Sequence, residues 1–233
     1  MEKATRWYWF IRWLAARLIG AFGGIKASGT ENVPKDGPVL LAPIHMSFLD
    51  PPVVGISCPR PVCYMAKEEL FRPPGFSHLI RSLKAFPVKR GANDSGAIRL
   101  AIELLQSGEC VLVFPEGGRN DGETLLEIQS GIAMLAKRSG AAIVPVGISG
   151  SQKMLPKGAK FLHRARIKVV FGEPFTYADI ESAEGKQASR DAFSRVMSER
   201  LVRATHEAGL PIKTAPSSPS QSAADHPETP TAP

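Results

Sequence analysis

From Gly29 onward the chain alternates short apolar runs rich in β-branched residues with longer stretches in which apolar positions recur every three or four residues. The runs at 38–42, 62–66, 85–88, 110–114, 142–148 and 167–171 read as buried strands. Helical periodicity is clearest over about 95–107, with Asp94 as its N-cap and Gly108 just beyond its end; further helices are expected over about 125–139 and 188–208. Strands that alternate with helices predict an α/β fold, a single layered domain whose mixed, largely parallel sheet is flanked by helices. From Pro211 the sequence is Pro, Ser, Thr and Ala with almost no apolar bulk, so it cannot bury enough surface to offset its ordering entropy. The expected organisation is therefore residues 1–27 as a separate helix, 28–210 as the folded domain and 211–233 as a disordered tail.

The N-terminal helix has its own pattern. Residues 7–25 are long enough to approach a hydrocarbon core of about 30 Å, but Arg12 and Arg17 interrupt the run. Each would cost roughly 2.5–3.5 kcal/mol at a bilayer centre, more than several leucines return. At 100° per residue Trp7, Ile11, Leu14, Leu18, Phe22 and Ile25 form an apolar stripe, with Arg6, Arg12 and Arg17 off it and Trp9 and Trp13 between. Aromatic rings beside basic heads suit the headgroup layer, so an amphipathic membrane-associated helix at the cytoplasmic face of the cell membrane is expected, peripheral or monotopic rather than spanning.

Charge and cysteine content remove other classes. The 233 residues carry a formal charge of +7, which by itself points to nucleic acid. Its distribution points elsewhere: Lys3, Arg6, Arg12, Arg17 and Lys26 face a single Glu2, and a second basic cluster lies within 60–90. Together they exceed the whole net charge, and two local patches need local explanations rather than a nucleic-acid track. Cys58, Cys63 and Cys110 form no C-x-x-C pair, so neither a disulfide framework nor a zinc site is indicated.

Candidate chemistry concentrates in three strings. His45-Met46-Ser47-Phe48-Leu49-Asp50 places an imidazole five residues before a carboxylate, with Pro51 and Pro52 next in the chain. On one continuous helix the two side chains would diverge by about 140°. A residue before proline is pushed out of the helical region, so a turn through Ser47 leading into a helix at Pro51 lets the carboxylate meet the ring. Asp50 then fixes the tautomer of His45 and stabilises the cation formed when it takes a proton from a hydroxyl. The second string, Phe114-Pro115-Glu116-Gly117-Gly118-Arg119, follows a buried run and supplies a guanidinium for an anion; the third is Val144-Pro145-Val146. Together they point to group transfer onto a phosphorylated acceptor.

This series, in this order, resembles the glycerolipid acyltransferase superfamily, typified by 1-acylglycerol-3-phosphate acyltransferases. The family's Asn-His-x4-Asp block is similar to 44–50, with Ile44 for Asn; its Gly-x-Phe-x-x-x-Arg block is similar to 84–90, with Lys84 for Gly; its Phe-Pro-Glu-Gly-Thr-Arg block is similar to 114–119, with Gly118 for Thr. The resemblance implies His45 and Asp50 as the catalytic pair. It implies Arg90, Glu116, Gly117, Arg119 and Lys67 as substrate-binding residues, with Glu116 positioning Arg119 or accepting from an acceptor hydroxyl and the backbone around Gly117 and Gly118 assisting the anion. Gln129 stands where many relatives carry lysine, which bears on the acceptor.

The activity implied by the resemblance is transfer of an acyl group from acyl-CoA or acyl carrier protein to the free hydroxyl of 1-acylglycerol-3-phosphate, making phosphatidate, with another lyso-lipid acceptor as the alternative. No metal or cofactor beyond that thioester co-substrate is implied, and the expected partners are a membrane surface, the lysophospholipid and the acyl thioester. Gly147-Ile148-Ser149-Gly150-Ser151 superficially matches a serine-hydrolase elbow but ends in Ser rather than Gly. No phosphate-binding G-x-x-x-x-G-K-[ST] loop is present.

Overall fold

The computed structural model describes residues 4–89, 95–184 and 190–214. In chain order the elements are α1 (Arg6–Ala21), β1 (Ile25–Ser28), β2 (Val39–Pro43), α2 (Asp50–Ser57), β3 (Val62–Lys67), α3 (Pro74–Ser82), β4 (Ala85–Val88), α4 (Ser95–Gln106), β5 (Cys110–Leu112), β6 (Thr124–Leu125), α5 (Ser130–Ser139), β7 (Ala142–Ser149), α6 (Ser151–Met154), β8 (Ile167–Phe171), α7 (Tyr177–Glu184), α8 (Arg190–Glu207) and β9 (Lys213–Thr214). Seven strands form one sheet in the order β1-β8-β7-β2-β5-β3-β4, and β6 pairs with β9 separately. Every neighbouring pair in the large sheet is parallel except β7 with β8.

Topology follows from handedness. From β2 the chain steps over β5 to reach β3, whereas β4 to β5 and β5 to β7 move the opposite way across the sheet. Right-handed crossovers therefore place α2 on one face and α4 and α5 on the other. The central strands are apolar throughout because both faces are covered: Val39, Leu40, Leu41 and Ala42 are fully buried, as are Val144, Val146 and Ile148. Gly147 lets α8 lie directly on β7, since a Cβ there would overlap the backbone of Ala204 and Thr205.

Several boundaries differ from the sequence pattern. α1 ends at Ala21 because Gly23 and Gly24 take positive φ, and Ile25, placed on the helical stripe by periodicity, instead starts β1 beside β8. The helix expected over 125–139 starts only at Ser130, since 125–129 is drawn into other hydrogen bonds: Leu126 N–H to a Glu116 carboxylate oxygen and Gln129 N–H to the Pro115 carbonyl. Lys213 and Thr214, assigned to the tail, pair with Thr124 and Leu125. Asp94, the proposed cap of α4, and residues 188 and 189 lie outside the described residues.

α1 is also rotated relative to its expected stripe. Tyr8 and Ile19 are buried against the domain, the Tyr8 hydroxyl accepting from Val62 N–H at 3.1 Å, and an Arg12 guanidinium nitrogen donates to the Ile56 carbonyl at 2.8 Å. Trp7, Trp9, Phe10, Trp13, Leu14 and Leu18 are left exposed. Among the described residues no helix is long and apolar enough to cross a membrane.

Replacing Gly147 with Ala is expected to destabilise the fold by about 3 kcal/mol or more, because the obstructing atoms belong to helix backbone and cannot swing aside. Urea unfolding checks this, and an unchanged midpoint contradicts the packing argument.

Candidate active site

The site is built where the parallel strands end. Leu41, Leu112 and Tyr64 stand level across β2, β5 and β3, and Lys67 stands level with Val88 of β4. Carried forward along each strand, that register puts the chain entering His45, the loop of 114–119, Lys67 and the exit of β4 on one edge, where α/β sheets open a crevice for ligands. Lys67 is two strands from His45, about 10 Å across the sheet. Arg90, next after Lys89 beyond β4, lies outside the described residues.

β2 ends in Pro43, and the Ile44 N–H still pairs with the Val146 carbonyl at 3.0 Å before the chain turns. The turn closes on one carboxylate oxygen. Asp50 Oδ2 accepts from the Met46 N–H at 2.6 Å and the Ser47 N–H at 2.7 Å, and lies 3.0 Å from His45 Nδ1. Asp50 is itself the first residue of α2, one position earlier than proline placement suggested, and is fully buried. With Nδ1 held, Nε2 is the ring nitrogen left to meet a substrate, and the His45 side chain keeps 12% of its surface open. Phe114 stacks on the imidazole at 3.8 Å between centroids, fixing the ring plane from a second direction. The Ser47 hydroxyl donates to the Leu155 carbonyl at 2.9 Å, tying the turn to the segment before β8.

Glu116 does not reach outward. Its Oε1 accepts from the His45 backbone N–H at 3.0 Å, and its Oε2 accepts from Asn120 Nδ2 at 2.7 Å and from Leu126 N–H at 3.0 Å. Asn120 N–H returns to the His45 carbonyl at 2.8 Å. Both oxygens of this buried carboxylate are thus occupied by protein donors, and Glu116 positions the peptide of His45 rather than Arg119 or a substrate hydroxyl. Burial pushes its carboxyl above the usual glutamate range, while these hydrogen bonds and the nearby imidazole pull it partly back. Gly117 takes φ +63 and its N–H donates to the Phe114 carbonyl at 3.1 Å. That donor is therefore used inside the turn, and the residue's contribution is a left-handed backbone that non-glycine residues adopt reluctantly. Arg119 is half-exposed with its guanidinium 3.9 Å over the Phe48 ring, and Phe48 is itself 62% exposed.

Sequence reasoning paired His45 with Asp50 and grouped Glu116, Gly117 and Arg119. It missed Asn120, Phe114 as a stacking partner and the Leu126 amide. The only signal for Asn120 was a polar residue four places after Glu116.

Comparison with known proteins bears on this edge directly, because the acyltransferase family profile matches residues 24–149, more than half of the chain and all of β1 to β7. The chain belongs to the acyltransferase family. It is an O-acyltransferase. It is 29% identical over 171 residues to a Bacillus subtilis protein named 1-acyl-sn-glycerol-3-phosphate acyltransferase, spanning 73% of this chain and 83% of that one. A Pseudomonas aeruginosa protein named lyso-ornithine lipid O-acyltransferase is 32% identical over 157 residues, 66% of this chain and 57% of that protein. The crystal structure of the 1-acyl-sn-glycerophosphate acyltransferase PlsC from Thermotoga maritima superposes with a TM-score of 0.73 at 27% identity, covering 86% of this chain and 78% of that one.

Within the acyltransferase, each sequence departure has a physical setting. Ile44 is fully buried in the core, so its apolar side chain fits where it stands. Gln129 packs beneath Gly117, where an added Cβ would approach its Cγ to 3.1 Å. Lys84 takes φ +64, a conformation suited to glycine, and its ammonium pairs with Glu109 at 3.0 Å. Ser149 is no nucleophile elbow, since its hydroxyl donates to the Ala208 carbonyl at 2.5 Å.

Replacing Glu116 with Gln is expected to cost about 2 kcal/mol at neutral pH, because an amide NH2 would face N–H donors that the carboxylate accepts from. The raised carboxyl pKa sets the pH dependence: folded protein holds the Glu116 proton more tightly than the unfolded chain does. Stability relative to the Gln variant should therefore be greatest at acid pH and decline as pH rises above the ordinary glutamate range, towards the folded value. Urea midpoints of both proteins across that range test the sign; a difference that grows with pH contradicts it.

Proposed function

We propose that this acyltransferase moves an acyl group from acyl-CoA or acyl carrier protein to the free hydroxyl of 1-acylglycerol-3-phosphate, forming phosphatidate for phospholipid synthesis. The observation that carries the reading is the His45–Asp50 pair, 3.0 Å apart on a buried turn beside the Glu116–Arg119 loop.

In the proposed mechanism His45 Nε2 takes the proton from the acceptor hydroxyl as its oxygen attacks the thioester carbonyl. Asp50, bonded at Nδ1, stabilises the imidazolium. Collapse of the tetrahedral intermediate breaks the carbon–sulfur bond, and the thiolate takes the proton back from Nε2 to leave as free thiol. Phe114 and the Glu116 clamp keep the ring aimed throughout, which is a positioning role. Arg119, Arg90 and Lys67 hold the acceptor phosphate, the two arginines with paired donors. α1 lies in the headgroup layer at the cytoplasmic face with Trp9, Phe10 and Trp13 outward, a role supported by their exposure.

The similarity to a lyso-ornithine lipid acyltransferase favours one second reading, an acceptor whose headgroup is an amino acid rather than a phosphate. Fold and dyad serve both acceptors equally.

His45→Ala is expected to lower turnover by about 10² to 10⁴ or more. Asp50→Asn should lower kcat by a similar factor and also lower the unfolding midpoint, since its amide oxygen still accepts from Met46 and Ser47 but its NH2 takes the buried, partnerless position of Oδ1. Mass spectrometry of products from a panel of lyso-lipids with both thioester donors decides the acceptor. Full activity in His45→Ala would end the mechanism, and turnover of lyso-ornithine lipid alone would replace the acceptor.

A further inference from the structure

The segment between α6 and β8 carries charge that the catalytic scheme does not use. From Ser151 to Gly172 the chain has Lys153, Lys157, Lys160, Arg164, Arg166 and Lys168 and no Asp or Glu. All six are exposed, and none forms an ion pair with a described residue. The loop is closed at its base by the His163 N–H donating to the Met154 carbonyl at 2.8 Å, and it holds up Phe161, which is 80% exposed. A phenylalanine left in water among unpaired cations is a poor arrangement for a free surface and a good one for a headgroup layer, where the ring and the charges both find partners.

Its position ties it to both the dyad and the aromatic helix. The Leu155 carbonyl accepts from the Ser47 hydroxyl, so the loop begins against the His45 turn. Ala165 N–H donates to the Phe22 carbonyl at 2.9 Å and Ile167 N–H to the Gly24 carbonyl at 3.0 Å, so it ends against the C-terminal end of α1, whose Leu18 is exposed. Gly23 permits that approach, since a Cβ there would overlap the Ala165 backbone.

We propose that residues 153–166, from the end of α6 through the loop that follows it, form a second membrane contact that recognises anionic lipid headgroups and, together with α1, sets the mouth of the dyad against the bilayer. This rests on the interfacial reading of α1 and adds to it a lipid class. α1 supplies apolar and aromatic insertion flanked by the exposed Arg6 and Arg17, whereas the loop, with one exposed ring and a run of cations, supplies mainly electrostatic attraction that depends on headgroup charge and is screened by salt.

Sedimentation of the full-length protein with phosphatidylcholine vesicles and with vesicles containing phosphatidylglycerol, at low and high salt, tests the assignment. The combined variant Lys157→Ser, Lys160→Ser and Arg164→Ser is expected to bind anionic vesicles about tenfold or more weakly, with weakened salt dependence. Its binding to neutral vesicles and its turnover in neutral detergent micelles should stay unchanged. The pair Lys153→Ser and Arg166→Ser provides an independent set with the same expected direction. Wild-type affinity of both sets for anionic vesicles overturns the proposal. So does a defect confined to use of an acyl carrier protein donor with vesicle binding intact, which would make this loop a protein-docking face. Failure of the α1 reading shows separately, as unchanged binding to neutral vesicles in Trp9→Ser with Trp13→Ser.

Discussion

The geometry of this protein turns on two buried carboxylates that grip the same short stretch of backbone. Asp50 gathers the amides of Met46 and Ser47 and the His45 ring on one oxygen, and Glu116 takes the His45 amide on another. A carboxylate placed in the interior must be satisfied by donors or lose its charge, and here the donors are the peptide groups that determine where the imidazole points. The arrangement makes the His45–Asp50 pair part of the fold: one of the three donors that satisfy the buried Glu116 is the peptide that carries His45.

The sheet supplies the frame for that grip. β2 lies between β5 and β7, so the strand that delivers His45 neighbours the strand that delivers Glu116, and both end on one edge. Because β2 is fully buried, its exit cannot shift without disturbing strands on both sides. The exposed groups around this rigid centre are of another kind: Arg119 over Phe48, Phe161 on its basic loop and the aromatic face of α1. A rigid turn carrying the His45–Asp50 pair, with an apolar and cationic rim, is the form that suits the proposed transfer onto a lipid-held acceptor.

Lys84 and the cysteines show how local deviations are absorbed. A lysine at φ +64 is strained, yet its ammonium meets Glu109, which also lies 3.8 Å from the Cys63 sulfur. Burial pushes the Cys63 thiol up to about 12, so it remains protonated and unreactive as a nucleophile at neutral pH. These groups stabilise the entry to β4 and the start of β5, away from the chemistry.

How much of this was legible in the residues depended on the range of the interaction. Runs of β-branched residues disclose burial on both faces, so the six principal strands were readable, and a proline after Asp50 discloses a turn, so the His45–Asp50 contact was too. Periodicity reports a helix's apolar side but not which neighbour will cover it, which is why α1 buries Tyr8 and Ile19 and leaves Leu14 and Leu18 exposed. Glu116 is the sharper case. Its sequence position suggested an outward group beside Arg119, and only the pairing of β2 with β5 brought the His45 amide, 71 residues away, to its oxygen. The sequence by itself determined the strands, the dyad turn and the chemical types at the site, because these rest on neighbours a few residues apart. Tertiary structure alone decided strand order, the orientation of α1 and the partners of Glu116, because a buried carboxylate binds whichever donors the folded chain carries to it.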